Sequence, residues 1–518
     1  MGKAFREIDD INGIEYLLQL AEGYERYGNL SLARDALQQA YDRVNPLETC
    51  SPEEHDRFAH CLLSLSRVSW KLADLQAALT YAELAIREKL EPRSRFRIEA
   101  LLAQARLFAL TSREQDALSA LDIIEESCEV IELEQLAEMM NVRAIIMARL
   151  GKPHDAIYSY EHAWRILRKR LKADEKLRFL DYFSIAVRDY GLMDRAIELH
   201  NEALSILELN QSNSSATLTR LGAAASNLLL GNVNAVKELL ECATIDDDDA
   251  MLQLDRVYIE TILGLLTGDT ETTEHAIAKL DMDAAFAIGA PHRIGQVAAA
   301  RYKYLLMKRC HSEAEALIAK TLAALGTLDG SWWLVLELCV HHRKGKDLER
   351  IRALLTKLGT ESRVVAAHLA LCDAAVAGLA RDERLRRLKA LEAASRFKTI
   401  SWRIHEAAAL EMARCRAEAA DIYRSLGLMH ELSRVKTAAH RSHPREDRTL
   451  TKREFEVYGL LRDGKTDADI AHHLGVSLRT AQQHVSWILK KLDVLSRKDI
   501  QGTSAITNTQ NTTYIKVS

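Results

Sequence analysis

The chain has 518 residues, with 48 % hydrophobic and 28 % charged positions and a formal net charge of −4. That length and balance suit several soluble domains or one extended array, and exclude a disordered or collagen-like chain. With only 6 Pro, 22 Gly and 6 % aromatics, the composition disfavours a β-sandwich or barrel and favours helices.

The eight cysteines, at 50, 61, 128, 242, 310, 339, 372 and 415, are scattered without a C-x-x-C pair. That distribution predicts reduced thiols in a cytoplasmic protein rather than a disulfide framework or a zinc site. The N-terminal MGKAFREIDD has no apolar segment of the signal-peptide kind. No run of eighteen uncharged apolar residues occurs; the nearest, Val364 to Ala380, contains His368 and Asp373. No membrane partner is expected.

From the N-terminus onward the chain repeats. Leu17, Leu20, Ala21 and Tyr24, a turn at Gly28, then Ala33, Leu37 and Ala40 follow a tetratricopeptide pattern, with small residues where paired helices cross. Further copies carry Leu62, Leu65, Ala78, Ala82 and Ala85; then Leu101, Ala105, Phe108, Ala117 and Leu121; then Ala144, Gly151, Ala156, Tyr160 and Ala163. Gly191, Ala196 and Ala203 mark a fifth copy, and Leu221, Gly231, Ala235 and Leu239 a sixth. The marker alanines at 33, 78, 117, 156, 196 and 235 recur mostly every 39 or 40 residues, longer than a standard tetratricopeptide unit. Beyond Cys242 the register blurs, with Gly268, Ala316, Gly345 and the stretch 407–426 suggesting more helix pairs. About ten or eleven pairs in a right-handed superhelix with a concave groove are expected.

Several conspicuous residues in this region point to packing or solvation rather than chemistry. Asp246 to Asp249 lacks the spaced ligands and turn glycine of a calcium loop. His341-His342 beside Arg343, Lys344 and Lys346 is a basic turn whose adjacent imidazoles diverge, as do those of His472-His473. Trp332, Trp333 and Trp402 could line a ligand pocket, but aromatics in a solenoid are more often packing residues, and that is the reading taken for them. No catalytic constellation and no metal or cofactor site stands out.

Near the C-terminus three short helical patterns follow one another between Leu450 and Ile500. Thr451 precedes Glu454 by three residues, and Thr466 precedes Asp469 by three, the spacing of capping boxes. Ser477 is placed to cap the third helix, and Gly464 and Gly475 fall in the two breaks. In the third helix Ala481, Val485, Ile488 and Leu492 share one face, predicted to point inward. Arg479, Gln482, Gln483, Ser486 and Lys490 share the other, which has no acid; amide, hydroxyl and cationic groups are those that contact base edges and phosphates. From Ser477 to Lys498 five basic residues stand against one acid, and from Pro444 to Ile500 the charge is +2, leaving −6 for the remainder. A solvated amphipathic helix is the ordinary alternative for such a face.

The segment as a whole resembles the LuxR-type (GerE-type) helix-turn-helix. The opening Leu-Thr-x-Arg-Glu of that family stands here as Leu450, Thr451, Arg453 and Glu454, followed by Gly464, Ile470 and Ala471. Its recognition-helix pattern is met by Ser477, Thr480, His484, Ile488, Lys491, Leu492, Val494 and Arg497. The resemblance covers roughly fifty residues without a gap. It implies that Gln482, Gln483 and Ser486 face bases, and that Arg479, Thr480, His484, Lys490 and Lys491 face phosphates. Two departures are present. The family's Val-Lys pair is Ala481-Gln482, and Arg497 to Gln501 leaves only about one turn where the family has a fourth helix that supports dimerisation. The long repeats resemble those of large LuxR-type activators of the maltose-regulon kind. Those carry an N-terminal nucleotide-binding domain, whereas here the repeats start near residue 14, so no ATP dependence is expected. Gly459 to Thr466 also satisfies the P-loop pattern, but its flanks are charged rather than a buried strand, and the helix-turn-helix accounts for the same residues.

The sequence therefore predicts an all-α chain, a tetratricopeptide-like α-solenoid followed by a small C-terminal helix-turn-helix domain. The expected boundaries are 10–435 for the repeats, 436–448 for a linker, 449–501 for the DNA-binding domain and 502–518 for a polar tail. The function expected is that of a non-enzymatic bacterial transcriptional regulator without a cofactor, whose partner is double-stranded DNA. The groove would take a protein, peptide or small-molecule effector. RNA polymerase is a further candidate partner, and a homo-oligomer is expected on DNA. The competing expectation is a repeat scaffold whose terminal module binds protein.

Overall fold

Each repeat is built from a helix, a short turn and a second helix packed back on the first, and the turns described in full pass through a left-handed residue. The computed structural model describes residues 2–44, 51–88, 90, 94–111, 113–127, 131–150, 152–210, 216–244, 249–280, 282–288, 291–325, 345–359, 361–442 and 452–491. Among these residues every regular element is a helix. Residues to Ser433 form one compact unit and those from Arg434 another.

The first unit is a run of antiparallel pairs. Gly2–Arg26 pairs with Leu30–Val44, Pro52–Lys71 with Leu75–Arg87, Arg95–Leu110 with Glu114–Ser127, and Leu133–Arg149 with Pro153–Leu167. Ala173–Tyr190 with Met193–Asn210, Ala216–Leu230 with Val233–Cys242, and Ala250–Thr267 with Thr270–Ala278 continue the series. After the short helix Met282–Ile288 come the pair Pro291–Met307 and His311–Leu325, the helix Gly345–Leu358, the pair Arg363–Leu379 and Glu383–Thr399, the pair Arg403–Met412 and Arg416–Ser425, and the first residues of Met429–Ser442.

In most pairs the fourth residue of the second helix faces the crossing and is excluded from water; in Glu383–Thr399 that place is held by Arg386, which is only partly buried. Ala33, Ala78, Ala117, Ala156 and Ala196 all occupy this place and are essentially fully buried, as the repeat spacing predicts. Two marker assignments shift. In the sixth pair the position belongs to Val236, fully buried, while Ala235 is only half-buried. In the pair ending at Leu325 it belongs to Ala314, while Ala316 is exposed. The blurred register beyond Cys242 has the same origin, because Thr273 fills this place where earlier repeats have alanine.

Neighbouring repeats are also joined by ion pairs between successive first helices. Arg67 and Lys71 both reach Glu25 at 2.9 Å, Arg106 reaches Glu138 at 3.0 Å, and Arg293 reaches Asp255 at 2.9 Å. Burial alone would raise the pKa of Glu25; the combined attraction of Arg67 and Lys71 overrides it and brings it down to about 2.

Repeats far apart in sequence share cores. Tyr160, Trp164, Phe179 and Phe183 belong to one apolar cluster with Phe397, Ile400 and Trp402. Met251 and Leu254 join the cluster of the second and third pairs. The array thus winds back on itself, and residues that a sequence reader assigns to separate pairs meet. Trp402 is fully buried against Phe397, as its reading as a packing residue requires. Trp332, Trp333 and the turn His341–Lys344 lie outside the described residues, as do Asp246, Asp247 and Asp248. Asp249 caps its helix, its Oδ1 accepting from the Leu252 amide at 3.1 Å.

At Gly191 the turn and the winding-back coincide. Its φ is +92°, and a Cβ there would lie 2.7 Å from Ile400 Cγ2. We expect Gly191→Ala to lower the stability of the array by at least the roughly 1–2 kcal/mol of left-handed strain. In an Ile400→Ala background, where the clashing methyl is gone, the same substitution should cost measurably less. A double-mutant cycle by denaturant melts reads the difference.

Candidate nucleic-acid interface

The second unit contains the helices Lys452–Arg462, Asp467–Leu474 and Leu478–Lys491. Their common core is Val457, Leu461, Ile470, Ala471, Leu474, Ala481, Val485 and Ile488. The predicted inward face of the third helix is therefore buried at Ala481, Val485 and Ile488; Leu492 lies outside the described residues.

Local chemistry sets where each helix begins and ends. Thr466 and Asp469 form the reciprocal capping box: the Thr466 amide donates to Asp469 Oδ2 at 2.9 Å, and the Asp469 amide donates to Thr466 Oγ1 at 3.2 Å. These bonds from Thr466 hold the Asp469 carboxyl below its usual range. Ser477 Oγ accepts from the Thr480 amide at 3.2 Å and caps the third helix. Gly464 and Gly475 take φ of +77° and +62°, closing the first two helices in the left-handed conformation expected of a glycine stop. Gly459 lies inside the first helix and Thr466 is occupied as a cap, so the P-loop-like octet is used as helix, turn and cap. Thr451 lies outside the described residues.

Arg453 binds the first helix to the second. Its Nη2 donates to the carbonyl of Leu474 at 2.7 Å, at the end of the second helix, and its Nη1 donates to Glu456 at 2.7 Å. Glu454 is buried. The Arg-Glu of the opening motif is thereby tied to the internal architecture of the module.

With the inward residues used, the outer face of Leu478–Lys491 is left to solvent. Arg479, Gln482, Gln483 and Ser486 are exposed, while Thr480 and His484 are half-buried on its flank. The Thr480 hydroxyl is engaged with Ser477 Oγ at 2.8 Å. Lys490 and Lys491 lie in the helix, and their side chains are outside the described residues. No acidic side chain occurs between Leu478 and Lys491. One residue missed in the sequence belongs with this face: Trp487 is 49 % exposed, one turn beyond Gln483, its ring edge-on to His484 at 6.1 Å. The spacing of four from Gln483 was the available signal.

Among the described residues no cluster of three or more His, Cys, Asp or Glu is arranged to hold a metal, and no helix is long and apolar enough to cross a membrane.

Comparison with known proteins bears on this unit. Residues 448–501 match the family described as bacterial regulatory proteins, luxR family (GerE). The transcriptional regulatory protein LiaR of Bacillus subtilis (strain 168) is 39 % identical over 66 residues, 13 % of this chain and 30 % of LiaR. The uncharacterized response regulatory protein YgeK of Escherichia coli (strain K12) is 48 % identical over 50 residues, 10 % of this chain and 34 % of YgeK. The spore germination protein GerE of Bacillus subtilis (strain 168) is 46 % identical over 48 residues, 9 % of this chain and 65 % of GerE. The chain thus spans about a third of the lengths of LiaR and YgeK and 65 % of GerE. Among solved structures, the crystal structure of a Rap protein complexed with competence and sporulation factor covers 82 % of this chain and 99 % of that one, at 12 % identity and a TM-score of 0.39.

The Arg453 strap and the Thr466 cap yield an expectation for this unit alone. Arg453→Ala should speed amide exchange across Asp467–Leu474, corresponding to a loss of about 1–2 kcal/mol, and Thr466→Ala to a loss of about 1 kcal/mol. Hydrogen–deuterium exchange resolved to that helix measures both, separately from the array.

Proposed function

From the LuxR-family helix-turn-helix at residues 448–501, we propose that this chain is a cytoplasmic transcriptional regulator that binds promoter DNA through helix Leu478–Lys491. The observation that carries the proposal is the exposed, acid-free face of that helix on a core whose caps and packing hold it rigidly. Acids would repel the phosphate backbone; a row of amide, hydroxyl and guanidinium groups suits a major groove.

Gln482, Gln483 and Ser486 read base edges in this proposal. A glutamine amide both donates and accepts, which matches the N6/N7 edge of adenine. Arg479, Thr480, His484, Lys490 and Lys491 contact phosphates, and Trp487 supplies apolar contact beside Gln483. The module binds as a homo-oligomer. The repeat array binds a regulatory protein, peptide or small effector, and occupancy shifts the population of forms able to present the module to DNA and RNA polymerase.

Selected and scrambled duplexes titrated at several salt concentrations test the reader. Gln482→Ala and Gln483→Ala should each relax discrimination by roughly 1–3 kcal/mol. Arg479→Ala should weaken binding to all duplexes and shallow the salt slope by about one. Glutamine variants that keep full discrimination would reverse the assignment, and a wild-type chain whose association with DNA ignores salt would favour the scaffold reading.

The array is tested in cells. Deleting residues 1–435 should uncouple promoter occupancy and transcription from the regulating condition. Unchanged regulation under every condition tested would remove the sensory role.

A further inference from the structure

Helix Glu383–Thr399 has two apolar faces. Ala390, Ala393, Ala394 and Phe397 form the first and are buried. Leu385, Leu388 and Leu391 form the second, and they are 42 %, 61 % and 38 % exposed. Single exposed leucines are ordinary on a protein surface. Three at successive i, i+3 positions are a ridge, and an i±3 ridge is the row that enters the groove of a second helix crossing at about 20°.

The charge around this ridge selects the kind of helix. Between Arg381 and Thr399 seven basic residues stand against three acids, a net +4 in a chain of −4. All three acids are already engaged. Asp382 Oδ1 accepts from the Leu385 amide at 2.9 Å, Glu383 pairs with Arg386 and Arg414, and Glu392 pairs with Lys389 and Arg396. Arg384 and Arg387 are exposed beside the leucines and pair with no acid among the described residues. A second copy of the same face would bring these arginines against one another, so the charge works against self-pairing. The ridge also carries no exposed aromatic of the sort that anchors a helix in a membrane interface.

We propose that this surface docks an acidic amphipathic helix of a partner protein, whose apolar residues straddle Leu385, Leu388 and Leu391 and whose carboxylates meet Arg384 and Arg387. It rests on the reading of the array as a partner-binding region and gives that role a place and a chemistry. It is independent of the DNA reading.

The test uses the full chain and two fluorescein-labelled designed helices. Both carry leucines at alternating spacings of three and four; one has glutamates flanking them and the other lysines at the same positions. By fluorescence anisotropy the acidic helix should bind and the basic one should not. Leu388→Asp should weaken the acidic helix at least about tenfold, a typical loss for a central contact. Arg384→Glu with Arg387→Glu should weaken it similarly and admit the basic helix. The three substituted side chains are exposed, so circular dichroism melts should match the parent chain. Equal binding of both helices, or binding that survives Leu388→Asp, would overturn the proposal. So would Leu388-dependent binding to phosphatidylserine vesicles without binding to the acidic helix. Failure here with array-dependent regulation intact in cells would reject this surface alone.

Discussion

Two helices joined by a turn of two or three residues must cross closely, and the side chain at the crossing must fit the space that remains. In most pairs of the array this constraint falls on the fourth residue of the second helix. Alanine meets it in the first five pairs; Val236 and Thr273, also fully buried, meet it later. The turn before it imposes a second condition, a residue in the left-handed region. Glycine takes that place at Gly28, Gly191, Gly231 and Gly268, and Ala73, Arg309, Arg381 and Arg414 take it elsewhere at a strain that packing must offset.

The winding adds contacts that no single repeat contains. Ile400 sits on Gly191, Leu426 on Gly231 and His430 on Gly268, so three successive turns of the middle repeats meet the last repeats. These contacts make the array less like a string of independent modules than nearest-neighbour stacking alone would.

The terminal unit divides its motif between inside and outside. Arg453, Glu454, Thr466, Gly475 and Ser477 hold the three helices in place through a strap, caps and a left-handed stop, and Glu454 is buried. The residues left over on helix Leu478–Lys491 are free to differ without disturbing that frame. The departure of Gln482 from the lysine of the family pattern is therefore a change at an exposed position that the frame does not use.

The all-helical character, the early repeat register and the caps of the terminal unit were legible in the sequence, because each depends on residues within a few positions of one another. Alanine spacing, Thr466 with Asp469, and the face shared by Ala481, Val485 and Ile488 are local facts of helix geometry. Trp487 was legible by the same geometry, four residues beyond Gln483. The shift from Ala235 to Val236 and from Ala316 to Ala314 was not, since a one- or two-residue change in helix start leaves the composition the same and moves the buried position. Only the tertiary structure decided which distant repeats share a core, that Arg453 reaches Leu474, and that Leu385, Leu388 and Leu391 remain uncovered. A sequence records which faces are apolar; whether another part of the chain covers a given face depends on the path of the whole array.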